Sequence, residues 1–187
     1  MSWGPAALRV PAAWVLAGPF LWLSRPSAAS LAAGASLAGV GLLVRAWAAG
    51  CVHKDRVLAV SGPYAHTRNP LYLGSLILGT GVVIAGGRGW FLVVFLVFFA
   101  LVYPRVMREE EERLERAFGP VFREYRAAVP RMLPRVTPFA GGGEGRDVSH
   151  GTPGGFSVRR YLDNREWHAA LGTSVAFTVL LVKMLLA

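Results

Sequence analysis

The chain has 187 residues, of which 53% are hydrophobic and 17% are charged, and its mean hydropathy is +0.42. Such a composition leaves too little polar surface to cover a soluble globule, so it indicates a membrane protein. Twenty Lys and Arg residues against eleven Asp and Glu residues give a formal net charge of +9. In a membrane protein this excess is expected in cytoplasmic loops, so it does not indicate a nucleic-acid partner. A single cysteine, Cys51, excludes an internal disulfide, and no Cys/His cluster typical of zinc sites is present.

Two hydrophobic segments occupy the first fifty residues. Residues 11–23 are apolar but broken by Gly18-Pro19, and a turn at residues 24–26 follows them. A cleaved signal peptide is the alternative interpretation of this first segment. Residues 28–50 are rich in Ala and Gly, are charged only at Arg45, and are long enough to cross a bilayer. The sequence therefore predicts a transmembrane helix there.

Three more apolar segments follow along the chain. Residues 71–86 and 90–103 are separated only by Gly87-Arg88-Gly89, which predicts a helical hairpin. Residues 168–187 form the last segment, and its Lys183 is close enough to the end to reach the membrane surface. We therefore predict an all-α, multi-pass integral membrane protein with about five transmembrane helices.

The basic residues predict the orientation of these helices. Arg45, Lys54, Arg56 and Arg68 flank one side, together with the polar stretch 105–167, whereas Arg25 and Arg88 mark the other side. The positive-inside rule then places residue 1, the 51–70 loop and the 105–167 region in the cytoplasm, with residue 187 outside.

The segment 61–74, with the sequence SGPYAHTRNPLYLG, concentrates polar side chains at the start of a predicted membrane helix. Asn69 is expected to cap that helix, and Pro70 suits its first position, where a missing N–H costs nothing. Capping does not explain the cluster of Tyr64, His66, Arg68 and Tyr72. Anchoring at the membrane interface by Tyr and Arg is the alternative explanation.

The segment 108–134 follows the predicted hairpin. Leu114, Phe118, Val121 or Phe122, and Tyr125 recur at helical spacing, which predicts a cytoplasmic amphipathic helix. Two i,i+4 pairs, Glu109 with Arg113 and Glu112 with Arg116, are expected on its solvated face. Glu110 and Glu111 then point elsewhere and are candidates for binding a ligand cation. A solvated acidic face is the alternative interpretation.

These two motifs, taken together around a hydrophobic hairpin, resemble a known family. GPYAHTRNPLYLG is followed by EExxL at 110–114, by Phe118-Gly119, by Tyr125 and by VPRMLP at 129–134. The pattern is similar to the membrane-embedded methyltransferases related to isoprenylcysteine carboxyl methyltransferase and phospholipid N-methyltransferase. The resemblance covers about residues 45–135. It implies transfer of a methyl group from S-adenosylmethionine to a membrane lipid or lipid-modified acceptor, without a Rossmann fold.

The resemblance also implies roles for individual residues. Glu110, Glu111 and Arg68 are the candidate catalytic residues. The implied cofactor pocket comprises Tyr64, His66, Arg68, Asn69, Pro70, Tyr72, Glu110, Glu111, Tyr125 and Arg131. A carboxylate suits the α-ammonium group of the cofactor, an Arg suits its carboxylate, and an aromatic or apolar slot suits its adenine. Glu110, Glu111 and His66 are the groups able to accept a proton if the acceptor is an amine.

Two positions depart from the family pattern. Asn69 stands where eukaryotic members commonly have His, and Phe122 stands where the family often has Tyr. Asn cannot titrate, and Phe lacks the hydroxyl, so any role of those groups is absent here. The glycines of Gly79-Thr80-Gly81 resemble a cofactor motif of phospholipid methyltransferases, but small residues in a membrane helix usually serve helix packing.

The remaining segments and the alternative functions complete the sequence-based expectations. The domain prediction is a transmembrane core at 1–135, a linker and polar segment at 136–167, and a last membrane helix at 168–187, with residues 138–156 a flexible linker. The polar run 159–168 is either a cap over the site or an interfacial segment. His53 and His150 are expected in solvated loops, and no metal site is predicted. A sterol-reductase-like NADPH oxidoreductase and a non-catalytic membrane module remain alternatives.

Overall fold

The computed structural model describes residues 15–52, 57–140 and 155–187. Its helices are α1 (15–23), α2 (Ala28–Cys51), α3 (Pro70–Ala85), α4 (Trp90–Ala128), α5 (Val158–Asp163) and α6 (Trp167–Leu185), with a 3-10 turn at Gly62–Ala65. These ranges contain no strand, so the predicted all-α class is confirmed for the part of the chain that is described. His53, His150 and most of the predicted 138–156 linker lie outside the described residues.

Three helices are long and apolar enough to cross a membrane, namely α2, α4 and α6. α3 is apolar but only 16 residues long. α1 is described from residue 15 only, so the first predicted hydrophobic segment lies partly outside the described residues. The chain is therefore an integral membrane protein of helices, and the number of five spans stays a prediction.

α2 and α3 pack closely because glycines line their contact. A Cβ atom on Gly81 would lie 2.4 Å from the backbone nitrogen of Ala38, and one on Gly41 would lie 2.4 Å from that of Leu78. A Cβ atom on Gly79 would lie 2.4 Å from the ring of Phe95 in α4. These distances support helix packing as the role of Gly79 and Gly81, as small residues commonly have in membrane helices.

α4 joins two predicted elements into one. The sequence predicts a membrane helix ending near residue 103 and a separate amphipathic helix, but the helix that begins at Trp90 continues past that point to Phe118, and a further helical stretch reaches Ala128. Pro104 lies within it, and the chain around residues 105–118 consists largely of strong helix formers, which explains the continuation. The break comes instead at Gly119, where φ is 53° and ψ is −123°, just before Pro120. The predicted separation near residue 103 is therefore wrong.

The turn between α1 and α2 and the turn between α3 and α4 lie at the same end of the molecule. The Arg25 amide donates to the Gly86 carbonyl at 2.8 Å, and the Lys183 Nζ donates to the Leu21 carbonyl at 2.6 Å. Arg25 and Arg88 thus mark the same end, as the charge pattern predicts. The loop at 57–69 and helix α5 lie at the opposite end, beside the C-terminal end of α2.

The polar segment 155–167 docks on the C-terminal end of α2. The Arg160 Nε donates to the Gly50 carbonyl at 2.7 Å, and the Asn164 Nδ2 donates to the Ala49 carbonyl at 2.9 Å. The last carbonyls of a helix have no partner within the helix, so these donors satisfy them. The sequence predicts that the 159–168 run is a cap over the site or an interfacial segment. The contact seen here is a different one, because the segment caps the end of a membrane helix.

The charge pattern makes a testable prediction of sidedness. Gly89→Cys, at an exposed turn position, is expected to react with a membrane-impermeant maleimide from outside intact cells. Arg116→Cys, exposed on α4, is expected to react only after the membrane is permeabilised. The native Cys51 is buried and serves as the unreactive background. Labelling in the reverse order would contradict a cytoplasmic position of the 57–69 loop.

Candidate active site

The two sequence motifs meet at the end of the molecule that carries residues 57–69, which we call the site loop. The second part of the site is the C-terminal half of α4. The third part is residues 129–139, which we call the return segment. The cavity between them is lined by Val52, Val57, Leu58, Ala59, Tyr64, Arg68, Asn69, Leu71, Glu110, Glu111, Arg113, Leu114, Phe118, Phe122 and Tyr125. Its walls are therefore apolar around a small group of charged side chains.

The return segment is tied to the site loop by backbone hydrogen bonds. These bonds run from Arg68 N to Pro130 O at 3.0 Å, from Arg135 N to His66 O at 2.9 Å, and from Phe139 N to Ala65 O at 2.9 Å. The contact continues to Phe139, beyond the end of the predicted core at residue 135. Backbone groups buried in such a contact need partners, so the bonds fix the conformation of the site loop.

Asn69 does not cap α3 with its side chain, so that prediction is wrong. Its Nδ2 instead donates to the Arg131 carbonyl at 3.0 Å, while the Thr67 hydroxyl donates to the same carbonyl at 3.1 Å. The Asn69 side chain therefore bonds the Arg131 carbonyl of the return segment instead of accepting a hydrogen bond from the first turn of α3. Pro70 occupies the start of α3, as predicted.

The four consecutive glutamates of α4 divide as the helical spacing predicts. Glu109 and Glu112 are exposed, whereas Glu110 is half-buried and Glu111 is only 5% exposed. Glu110 and Glu111 line the cavity. Successive residues on a helix point about 100° apart, so two neighbours can share the inner face while the flanking residues meet solvent.

Glu111 is the centre of a buried charge cluster. Its two oxygens accept from the Arg131 Nε at 3.0 Å and Nη2 at 2.7 Å, which is the bidentate geometry of a strong ion pair. Its Oε1 also lies 3.4 Å from the Arg68 Nη1. The hydrogen bond to Glu111 raises the pKa of Arg131, so this guanidinium stays charged. One carboxylate thus faces two guanidinium groups.

Arg68 has unused hydrogen-bonding capacity. Its Nε and Nη1 are buried and have no hydrogen bond among the described residues. Burial lowers the pKa of Arg68, and the nearby Glu111 carboxylate opposes that effect. A buried N–H group without a partner costs free energy, and such groups in native proteins call for an explanation. A bound anion beside Arg68 would supply the missing acceptor.

Glu110 has a neutral partner. Its Oε2 accepts from the Tyr72 hydroxyl at 2.9 Å. The negative charge of Glu110 is therefore less compensated than that of Glu111, which faces two arginines. Of the two carboxylates, Glu110 is the better placed to receive a ligand cation.

Removing the Tyr72 hydroxyl tests whether Glu110 takes part in binding S-adenosylmethionine, the ligand that the sequence resemblance implies, and weaker binding is the expected result. Tyr72→Phe deletes one hydrogen bond to a carboxylate, which is worth about 1.5–3 kcal/mol, and allows Glu110 to turn away. Calorimetric titration with the cofactor measures the change. Tyr103→Phe is the matched control, since the Tyr103 ring packs 5.6 Å from that of Tyr72 and no hydrogen bond of its hydroxyl is described. Equal affinities for the two variants would contradict a role for the Tyr72–Glu110 pair.

Tyrosine and phenylalanine side chains form the wall behind the charges. The Tyr125 hydroxyl donates to the Tyr64 carbonyl at 2.7 Å, and Tyr125 and Phe122 are 3% and 1% exposed. Phe122, rather than Val121, therefore takes the inward position that the sequence left open. Burial, reinforced by the negative charge of Glu110, raises the pKa of Tyr64, which keeps this phenol neutral.

The predicted residues fall into two groups. Tyr64, Arg68, Asn69, Glu110, Glu111 and Tyr125 line the cavity, whereas His66, Pro70, Tyr72 and Arg131 do not. Tyr72 and Arg131 act on the cavity through their bonds to Glu110 and Glu111. His66 faces the return segment, where its Nδ1 donates to the Arg135 carbonyl at 2.8 Å, so it is not placed among the candidate catalytic groups.

Sequence reasoning missed the apolar part of the site loop. Val57, Leu58 and Ala59 line the cavity, and Leu58 packs in a buried cluster with Phe122, Tyr125 and Val129. The signal was present in the sequence, since residues 57–60 are a short apolar run within an otherwise polar loop. The described residues contain no group of three or more His, Cys, Asp or Glu side chains arranged to hold a metal ion.

Comparison with known proteins places this geometry in a family. Residues 30–121 match the phospholipid methyltransferase family, and this range includes the site loop, α3, the greater part of α4 and both Glu110 and Glu111. This segment belongs to the phospholipid methyltransferase family. The resemblance expected from the sequence is therefore confirmed. No solved structure matches the chain.

Three relatives of the phospholipid methyltransferase segment are informative. The cobalt-zinc-cadmium resistance protein CzcN of Cupriavidus metallidurans is 39% identical over 58% of this chain and 49% of its own length. The nickel-cobalt-cadmium resistance protein NccN of Alcaligenes xylosoxydans is 32% identical over 57% of this chain and 49% of its own length. Protein-S-isoprenylcysteine O-methyltransferase of Schizosaccharomyces pombe is 29% identical over 45% of this chain and 36% of its own length. The chain thus matches half or less of each relative.

Proposed function

We propose that this chain is an S-adenosylmethionine-dependent methyltransferase that acts on a membrane-associated acceptor from the cytoplasmic side. The observation that carries the proposal is Arg68, whose buried Nε and Nη1 atoms have no hydrogen bond among the described residues, beside Glu110 and Glu111 in the family segment. A cation and two carboxylates in an apolar cavity suit a zwitterionic ligand. The membrane helices around the cavity suit an acceptor that resides in the bilayer.

The side chains present fit the amino-acid part of S-adenosylmethionine. Arg68 has donors for a carboxylate, and Glu110 offers a carboxylate for an ammonium group. Leu58, Phe118 and Phe122 provide an apolar and aromatic wall for a purine ring. Glu111 is largely neutralised by Arg131, so we assign it the role of holding Arg68 in place.

When bound, the cofactor would supply a methyl group carried on its sulfonium sulfur, so that the acceptor atom would bond to the methyl carbon as the carbon–sulfur bond opposite it breaks and S-adenosylhomocysteine leaves. The residues of this chain orient the reactants and exclude water, since alignment supplies most of the rate enhancement in such a displacement. A carboxylate acceptor needs no base. An amine or thiol acceptor would have to lose its proton to a group within hydrogen-bond reach, and Glu110, as the proposed partner of the cofactor's ammonium group, is not assigned that role.

The acceptor class we propose is a lipid or a lipid-modified small molecule. The relative from Schizosaccharomyces pombe is named for O-methylation of S-isoprenylcysteine, which is such an acceptor. An acceptor of this kind reaches the site from the bilayer, and a water-soluble cofactor reaches it from the cytoplasm. The position of the cavity at the end of the membrane helices meets both requirements.

Calorimetry on the detergent-purified protein tests the cofactor assignment. S-adenosylmethionine and S-adenosylhomocysteine are expected to bind at one site per chain. Reduced nicotinamide adenine dinucleotide phosphate is the control for a reductase, and Zn²⁺ and Co²⁺ are the controls suggested by the names of two relatives. Binding of the nicotinamide cofactor, or of a metal ion in place of both S-adenosyl ligands, would overturn the proposal.

A further inference from the structure

A second, half-buried ion pair joins α2 to the residue that precedes α6. Arg45 of α2 donates from Nε at 3.1 Å and from Nη2 at 2.7 Å to one oxygen of Glu166, and from Nη2 at 2.9 Å to the other. The side chains are 22% and 11% exposed. Charged groups in this environment are costly, so a pair retained there calls for a function.

The same guanidinium holds the first turn of α3. Its Nη1 donates to the Ser75 hydroxyl and to the Leu71 carbonyl, the latter at 3.4 Å. The Ser75 hydroxyl in turn donates to the Leu71 carbonyl at 2.8 Å. Leu71 lines the candidate active site, and the adjacent Tyr72 bonds Glu110. The position of this turn therefore sets the position of groups inside the cavity.

Gly74 lets the Arg45 side chain reach these partners. A Cβ atom at residue 74 would lie 2.6 Å from the Arg45 Cγ and 3.0 Å from the Gly41 carbonyl oxygen. A side chain there would push α2 and α3 apart or displace Arg45. Gly74, the last residue of the first motif, is therefore required for a structural reason: it leaves room for the Arg45 side chain between α2 and α3.

Glu166 lies far along the sequence from the site and beyond the family segment at 30–121. It directly precedes α6, and the neighbouring α5 docks on the end of α2. Its carboxylate is the acid that neutralises Arg45, so without it Arg45 would be a half-buried charge lacking a counter-ion. A partly buried charge in that state turns to water or to another acceptor and leaves its former partners.

We infer that Glu166 and Arg45 are positioning residues of the active site, which hold the first turn of α3 so that Leu71 lines the cavity and Tyr72 reaches Glu110. Glu166, which directly precedes α6, then contributes to the site from outside the family segment. This inference rests on the proposed function for its effect on catalysis. Its effect on the structure of α3 is independent of that function.

Glu166→Gln tests the inference because it preserves the shape of the side chain and removes its charge. Amide hydrogen exchange of residues 69–75 is expected to become faster, and the affinity for S-adenosylmethionine is expected to fall about tenfold. The calorimetric binding stoichiometry is expected to stay at the wild-type value, because the protein remains folded. Glu166→Asp keeps the charge and is expected to recover most of the affinity.

Asp163→Asn is the matched control. It removes an acid only three positions earlier, whose partner Arg159 is 3.9 Å away and whose side chain is largely exposed. Wild-type exchange at residues 69–75 in Glu166→Gln would overturn the positioning role. Faster exchange with unchanged affinity would confine the role to the fold of α3 and would overturn its link to the site. Failure of the wild-type protein to bind S-adenosylmethionine would overturn the proposed function, and hydrogen exchange alone would then decide the role of Glu166.

Discussion

Glu111→Ala is expected to lower both the thermal stability of the protein and its affinity for S-adenosylmethionine. The substitution removes the carboxylate shared by Arg68 and Arg131 and leaves a buried guanidinium without its counter-ion. Removing one partner of a buried pair typically costs about 3–5 kcal/mol, and the partial exposure of Arg131 reduces that cost. Arg68 also loses the charge that holds it beside the cavity, so the cofactor affinity falls as well.

Glu110→Ala separates the two effects. The partner of Glu110 is a neutral phenol, so its removal leaves no unpaired charge, and the unfolding midpoint is expected to change little. Affinity for S-adenosylmethionine is expected to fall strongly, because the proposed partner of the ammonium group is gone. Glu109→Ala and Glu112→Ala are controls on the exposed face of the same helix. Equal effects of all four substitutions in thermal unfolding and calorimetry would contradict the assignment.

The division of the glutamates was predictable because it depends on local geometry alone. Two i,i+4 pairs assign Glu109 and Glu112 to one face, and helical spacing then turns Glu110 and Glu111 inward. The predicted membrane segments followed equally from local hydropathy. α2 begins where the sequence predicts, and Ser27 and Ser30 exchange the hydrogen bonds of a capping box there.

Other features depend on residues that are distant in sequence. Asn69 suits a helix cap, and only the return of residues 129–139 to the site loop shows that Arg131 offers it a carbonyl instead. Arg45 bonds a residue 121 positions away, and no periodicity predicts that pairing. The continuity of α4 through Pro104 also escaped prediction. A proline removes one backbone donor, which neighbouring groups can compensate in a membrane helix.

Arg68→Ala is expected to weaken binding of S-adenosylmethionine about 100-fold while leaving the unfolding midpoint unchanged or slightly raised. Burial of the Arg68 guanidinium atoms costs solvation free energy, yet Nε and Nη1 have no hydrogen bond among the described residues. Removing it relieves that cost. Glu111 keeps its bidentate partner Arg131, so no carboxylate is left unpaired. The backbone bond of residue 68 to Pro130 does not depend on the side chain and is retained.

Arg68→Lys tests whether the planar guanidinium or the charge is required. An ammonium group preserves the charge but not the paired N–H donors that match a carboxylate, so only part of the lost affinity is expected to return. Arg116→Ala, on the exposed face of α4, is the control and is expected to bind the cofactor as the wild type does. A marked fall in the unfolding midpoint of Arg68→Ala, with affinity of the folded fraction unchanged, would make Arg68 a structural residue. An unchanged or raised midpoint together with a fall in affinity would show that Arg68 lowers the stability of the protein while providing N–H donors for a ligand carboxylate.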